Sequence, residues 1–208
     1  KCFVGIDLGS TTTKAVVLVL AEGVADEAGL NAYTNRHITA RAEVRPFGAE
    51  PPLPHIAIPT TLSAGEHSGH FGMTDEAHRR KDGGGHPLLV PRVVILDPEV
   101  TLDTPEWLWA STAIRALDHA VERFYTPTHQ PLTDALCLEA IRLLASELPV
   151  TLHTPDRLEA RLACQLAAWF SLFGAFNART GLSHAIGHQL GGRCGVPHGQ
   201  TSCVILPH

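Results

Sequence analysis

The chain of 208 residues lacks several features that would assign it to specialised classes of protein. It has no surplus of positive charge, because 16 Lys and Arg residues are outnumbered by 21 Asp and Glu residues, and this argues against a nucleic-acid partner. No apolar run approaches the roughly 18 residues of a membrane span, so no membrane partner is expected. The five cysteines are odd in number and never form CxxC, which is typical of reduced thiols rather than of a disulfide framework.

The first and last residues also lack expected features. KCFVGIDLGS has no charged start, long apolar stretch or small-residue cleavage site, and so does not match a secretory signal peptide. Together with the reduced cysteines this predicts a cytoplasmic protein. The chain starts at Lys1 inside an apolar run and stops at CVILPH, where another apolar segment gathers. We therefore expect a chain truncated at both ends, with any site incomplete where segments are missing.

Strand-like and helical patterns occupy different parts of the sequence. CFVGID (2–7) and HIAIPTT (55–61) predict buried strands, and residues 70–101 alternate short strands with turns. A helical period follows, and it predicts three helices over 104–125, 131–149 and 154–178. The tryptophans within them, Trp107, Trp109 and Trp169, are predicted to be core residues. The sequence thus predicts an α/β portion over 1–101 and an all-α portion over 102–208.

The segment GLSHAIGHQLGGRCGVPHG (181–199) holds three of the 13 histidines. His184 and His188 are four residues apart and share one face of a helix, and a predicted loop, GGRCGVP, brings His198 back beside them. His119, in IRALDHAVE, is a fourth candidate. Such imidazoles can bind a metal ion, relay a proton or be ordinary hydrogen-bonded residues. HAIGH lacks the glutamate of HExxH, which argues against a zinc hydrolase.

These motifs carry a resemblance to a known family. PTT, DP, HAVE, GLSHAIGHQLG and PHG…LPH occur in the order found in the iron-containing (group III) alcohol dehydrogenases, especially the maleylacetate reductase-like branch. The resemblance implies a dinucleotide-binding α/β domain, a helical domain and an active site in the cleft between them. It implies an NAD(P)-dependent oxidoreductase that transfers a hydride between NAD(H) or NADP(H) and a small carbonyl or keto-acid substrate. A homo-oligomer is expected.

The same resemblance implies site residues at matching positions. The metal ligands, for Fe²⁺ or Zn²⁺, fall on His119, His184 and His198. His188 matches the histidine that shuttles the proton beside the nicotinamide. The positions implied in cofactor binding are Gly9, Ser10, Thr11, Thr60, Thr61 and Lys81.

Arg115 departs from the family pattern. It stands one helical turn before His119, where the family has a fourth metal ligand, an aspartate. A guanidinium repels a divalent cation, so a metal site of the usual kind is not expected. Two interpretations stay open. Arg115 could act in catalysis by binding a carboxylate substrate and polarising its carbonyl, or it could point away and pair with Asp118 or Glu122.

A second departure lies near the start of the chain. GIDLGSTTTKAVVL (5–18) lacks the glycine-rich turn of the family and resembles the phosphate-binding turn of actin/Hsp70/sugar-kinase ATPases, especially activators of acyl-CoA dehydratases. That local resemblance implies that Asp7 would organise metal-bound water. An ATP-binding activator is therefore an alternative function, and a non-catalytic fragment is another.

Overall fold

The computed structural model describes residues 56–75, 80–85, 87–173 and 178–208. The described strands are β1 (Ile56–Ala57), β2 (His70–Asp75), β3 (Arg80–Gly85) and β4 (Val93–Val94). The described α-helices are α1 (Glu106–Tyr125), α2 (Pro131–His153), α3 (Leu158–Leu172), α4 (Leu182–Cys194) and α5 (His198–Ile205). The predicted change from strands to helices is confirmed. The predicted strand over 2–7 and the phosphate turn lie outside the described residues.

The described strands form two small pairs. β1 and β4 are parallel, with Ile56 opposite Val93, while β2 and β3 are antiparallel. The strand predicted over 55–61 is shorter than expected, since β1 covers only Ile56–Ala57 and is followed by a single bridge at Pro59. The chain then turns onto the helices, where the Leu62 backbone N–H donates to Thr112 Oγ1 at 3.1 Å. The strand region and the helices therefore share one buried core.

That core is made largely of small side chains. Ala113, Ala116 and Ala120 on α1 are fully buried. They pack with alanines of α2 and α3, and with Leu62 from the strand region. Short side chains at the contact allow helices to approach closely and exclude water along the seams. Among the described helices, none combines the length and the apolar character that a bilayer span requires.

Trp109 is the largest side chain in this core and is clamped by polar partners. Its indole N–H donates to Thr151 Oγ1 at 3.0 Å, and the Arg161 guanidinium lies 4.1 Å from its ring centre. Arg161 in turn donates to the Thr101 carbonyl at 2.5 Å, the Thr101 hydroxyl at 2.6 Å and the Pro155 carbonyl at 3.1 Å. These bonds tie α3 to α1 and to the turn that precedes the helices.

Three details of the sequence prediction are wrong. The helix predicted over 154–178 is shorter than expected, since α3 covers only Leu158–Leu172. α2 continues past Pro149 to His153, because a proline near the end of a helix removes only one backbone hydrogen bond. Trp107 and Trp169 are 56% and 39% exposed, although they were predicted to be core residues. Trp107 lies two positions before Trp109, about 200° around the helix, so both cannot face the same core.

Candidate active site

Four predicted site residues, His119, His184, His188 and His198, lie together where α1, α4 and α5 meet. The His119 and His184 rings stack with centroids 4.8 Å apart, and the His188 and His198 rings stack at 5.2 Å. The two pairs meet edge to face, since the His184 ring is 6.2 Å from His188 and 6.4 Å from His198. His119 and His184 are buried, His198 is half-buried and His188 is exposed. The cluster thus leads from the interior to the surface.

Glycines determine how α4 and α5 reach this position. The predicted loop GGRCGVP is wrong in extent, because α4 continues through its glycine pair to Cys194. The chain reverses only at Gly195, whose φ of 66° favours a residue without a side chain. At Gly199, a Cβ would lie 2.9 Å from the Ser111 carbonyl oxygen. α5 therefore packs backbone to backbone on α1, and His198 begins that helix.

A buried ion pair lies next to the histidines. Arg115 Nη1 donates to Asp118 Oδ2 at 3.2 Å and to Ser202 Oγ at 2.7 Å. The hydroxyls of Ser202 and Ser183 donate to the same Asp118 oxygen at 2.7 and 2.8 Å. Arg115 is only 1% exposed. This geometry agrees with the interpretation in which Arg115 pairs with Asp118, and it leaves the guanidinium without access to a substrate carboxylate.

A second buried carboxylate, Glu122, bonds directly to the cluster. Glu122 Oε2 accepts a short hydrogen bond from His184 Nδ1, and Glu122 Oε1 accepts the His184 backbone N–H at 3.2 Å. Its neighbour Arg123 donates to the carbonyls of His119 and Ser171 at 3.2 and 3.1 Å. Two carboxylates and two guanidiniums therefore balance one another in this buried region.

The environment shifts the ionisation of these groups. Burial, followed by the charges of His184 and Arg115, lowers the pKa of His119 well below its ordinary value. Burial also lowers the pKa of His184, against the opposing effect of Glu122. Burial lowers the pKa of Arg115 to about 10, so it stays charged at neutral pH. Burial acts to raise the pKa of Glu122, but the hydrogen bonds and the charge of His184 outweigh burial, and the pKa is lowered.

One group among the described residues has the spacing of a metal site. The possible ligand atoms of Asp118, Glu122 and His184 lie within 4.8 Å of one another. This group shares only His184 with the three histidines that the family resemblance implies. Its atoms already bond to one another and to neighbouring donors, and the Arg115 guanidinium lies 3.2 Å from the Asp118 carboxylate. The group of Asp118, Glu122 and His184 therefore does not fit a resident Fe²⁺ or Zn²⁺, and the assignment of His119, His184 and His198 as metal ligands stays a prediction.

The predicted nucleotide-binding residues lie only partly within the described chain. Thr60 and Thr61 are half-buried in the turn after β1, where the Thr60 carbonyl accepts the Thr104 hydroxyl at 2.8 Å. Lys81 lies on β3, opposite Thr74 on β2. β3 lies against α4, the helix that carries His184 and His188. Gly9, Ser10 and Thr11 lie outside the described residues, and all six assignments stay predictions.

Sequence reasoning named Asp118 and Glu122 only as possible partners of Arg115, and it assigned no role to Ser183 and Ser202, which complete the site. Part of the signal was available, because Arg115, Asp118 and Glu122 recur at i, i+3 and i+7 and so share one face of α1. Charges of opposite sign on the apolar face of a helix indicate a buried ion-pair network. The two serines have no comparable signal, since their partners come from other helices.

Comparisons with known proteins support this architecture. Residues 9–98 match the family model described as iron-containing alcohol dehydrogenase. Residues 109–208 match the model described as the C-terminal part of the Fe-containing alcohol dehydrogenase family. The first match takes in most of the GIDLGSTTTK stretch, and the ATPase resemblance stays unconfirmed.

Individual relatives give the same picture. Maleylacetate reductase of Pseudomonas sp. strain P51 is 35% identical over 75% of this chain and 44% of its own length. NAD-dependent methanol dehydrogenase of Bacillus methanolicus is 31% identical over 95% of this chain and 49% of its own. The solved sulfoacetaldehyde reductase of Bifidobacterium kashiwanohense, in complex with NAD⁺, superposes with a TM-score of 0.79 at 25% identity, over 93% of this chain and 50% of its own. The chain thus spans half or less of the length of these relatives.

Proposed function

The chain belongs to the iron-containing alcohol dehydrogenase family, and from that premise we propose that it is an oxidoreductase that reduces a small carbonyl or keto-acid substrate with NAD(H) or NADP(H). The observation that carries this proposal is the cluster of four imidazoles, which leads from the interior to the exposed His188. Relatives named as a maleylacetate reductase and as an NAD-dependent methanol dehydrogenase support the reaction type and the cofactor.

Carbonyl reduction requires a hydride at the carbon and a proton at the oxygen. A bound nicotinamide supplies the hydride. His188 is the proton donor, because it is the exposed end of the cluster and can meet a substrate without rearrangement of the core. The stacked His198 ring, 5.2 Å away, is half-buried and packs against the donor. After transfer, His188 recovers its proton from solvent.

The buried residues create the electrostatic setting for this step. Arg115 contributes to the low pKa of both His119 and His184, after burial, so its positive charge is felt across the cluster. The same charge favours the negative charge that develops on a substrate oxygen during hydride transfer. Arg115 thus acts through its field, and the Asp118 carboxylate holds it in place.

A keto acid similar to maleylacetate is the substrate that we favour. Its support is the maleylacetate reductase that is 35% identical over three quarters of this chain. The experiment is a comparison of NADH and NADPH oxidation with maleylacetate, with a simple aldehyde and without substrate. Turnover of maleylacetate at least tenfold above the aldehyde supports the keto-acid assignment. Equal turnover would reduce the proposal to a general carbonyl reductase, and no turnover with either cofactor would contradict it.

The role of His188 is tested by His188→Gln. Loss of the proton donor should lower kcat by roughly 100-fold, because general acid catalysis contributes about that much. The matched control is His129→Gln, which alters another exposed histidine, bonded to Asp134 on α2. Both variants should unfold at the wild-type temperature. Equal kcat in the two variants would remove His188 from the mechanism.

A further inference from the structure

Glu122 holds His184 through both the side chain and the backbone. Its carboxylate accepts the His184 Nδ1–H and the His184 backbone N–H. The backbone of Gly181, the residue before α4, also contributes to lowering the pKa of Glu122. A Cβ at Gly181 would lie 2.8 Å from Glu122 Oε1, so the carboxylate fits closely against the start of the helix. Glu122 is fully buried on α1, and its position relative to α4 is therefore fixed by packing.

This contact determines which ring nitrogen carries the proton. A carboxylate can only accept, so a hydrogen bond to Nδ1 requires the proton on Nδ1. In the neutral imidazole, Nε2 is then the acceptor. The opposite tautomer would place the Nδ1 lone pair against a buried carboxylate, which is repulsive.

We propose that Glu122 is a positioning residue that holds His184 in the Nδ1–H tautomer, so that Nε2 is the hydrogen-bond acceptor offered to the histidine cluster. The His184 ring stands between buried His119 and the pair formed by His188 and His198, and its tautomer fixes the direction of hydrogen bonds along that route. The tautomer itself is independent of the reaction. Its effect on turnover rests on the proposed function.

A role that is merely structural predicts a different outcome. Glu122 accepts N–H groups at the start of α4, which stabilises a helix terminus whatever the tautomer. Tyr125 offers a matched comparison, because its hydroxyl packs against the same helix start, where a Cβ at Gly181 would lie 2.6 Å from the phenol oxygen. Tyr125→Phe removes that hydroxyl from the helix start and changes no atom of the Glu122–His184 contact.

The test is nitrogen NMR of the full chain with ¹⁵N-labelled histidine at neutral pH, with the His184 signals assigned as those lost in His184→Gln. Wild type and Tyr125→Phe should show the Nδ1–H tautomer. Glu122→Gln should populate both tautomers, since an amide can accept or donate, and Glu122→Asp should recover the wild-type pattern in part. Circular dichroism confirms that each variant is folded.

Several results would overturn the proposal. These are an Nε2–H or doubly protonated His184 in the wild type, or a tautomer that does not change in folded Glu122→Gln. In the kinetic experiment, Glu122→Gln should lower kcat by about 10- to 100-fold with little change in KM, as expected for a residue that orients another. If neither the wild type nor the variants turn over substrate, the proposed function fails. The tautomer seen by NMR still decides the role of Glu122 in that case.

Discussion

Two buried arginines, Arg161 and Arg115, are held in contrasting ways. Arg161 donates through all three guanidinium nitrogens to neutral oxygens of Thr101 and Pro155, and it stacks on Trp109. Arg115 bonds to the charged Asp118 carboxylate and to Ser202, and its Nε has no hydrogen-bond partner among the described residues. Every nitrogen of the first guanidinium donates a hydrogen bond, whereas Nε of the second has no partner among the described residues.

The same contrast extends to the surroundings of Arg115. In the described parts of the chain, Asp118 Oδ1, His119 Nδ1 and Arg123 Nε are also buried without a hydrogen-bond partner. Unsatisfied polar atoms cost about 1–3 kcal/mol each, and although single ones also occur on His67, Asp134 and Gln165, four of them adjoin one another around Arg115. We therefore expect that Arg161 serves the fold and that Arg115 serves the proposed site.

The largest effect is expected when the Arg115 ion pair is broken. Asp118→Ala leaves a buried guanidinium without its counter-charge and should lower the free energy of unfolding by about 3–5 kcal/mol. Urea denaturation measures this. The double variant Arg115→Met/Asp118→Leu should recover most of the loss, because it removes both charges. A loss below about 1 kcal/mol in Asp118→Ala would show that the pair is not essential to the buried region.

A smaller loss of stability is expected when Arg161 is replaced. Arg161→Met removes bonds to neutral acceptors while keeping an apolar contact with Trp109, and it should cost about 2 kcal/mol. The kinetic constants and the histidine NMR signals should stay at wild-type values. The free energy of unfolding, the kinetic constants and the NMR signals are measured on the same preparation, so that an effect on the fold can be distinguished from an effect on the site. A change in the His184 or His119 signals would contradict the division between the two regions.

The smallest effect concerns metal affinity. Arg115→Asp replaces the repelling cation by the carboxylate that the family has at this position, and should raise the affinity for Co²⁺ or Zn²⁺ at least tenfold, or about 1.4 kcal/mol. Isothermal titration calorimetry measures the gain. Arg115→Met is the control, since it removes the positive charge without adding a ligand. Equal affinities in wild type and in folded Arg115→Asp would refute the charge argument.

Much of the fold could be predicted from the sequence, because it depends on local signals. Proline marks the beginnings of α1 and α2, and the helical period gives the end of α1 and, to within four residues, that of α2. The short helix α5 was not predicted. The end of α4 was missed because glycines were interpreted as a loop, although a helix can retain them where neighbours pack closely. The exposure of Trp169 could not be predicted from its apolar neighbours.

The candidate site was predictable in its histidines and much less so in its carboxylates. The spacing of His184 and His188 places both on one helix face whatever the rest of the molecule does. The bonds between Glu122 and His184 and between Asp118 and Ser202 depend on where α1 crosses α4 and α5. The partners in these two bonds are 62 and 84 positions apart in the sequence. No local pattern contains that information.

The contact between Gly199 and Ser111 has a consequence for redesign. Because the Ser111 carbonyl oxygen occupies space 2.9 Å from where a Cβ would lie, the rotation of α5 about its own axis is set by backbone atoms. The direction of the neighbouring His198 imidazole therefore depends mainly on how α5 packs on α1, and the side-chain torsions of His198 adjust it only slightly. An engineer who wants to re-aim this imidazole would need to reshape the docking surface on α1. Substitutions around the ring itself would leave the limiting contact unchanged.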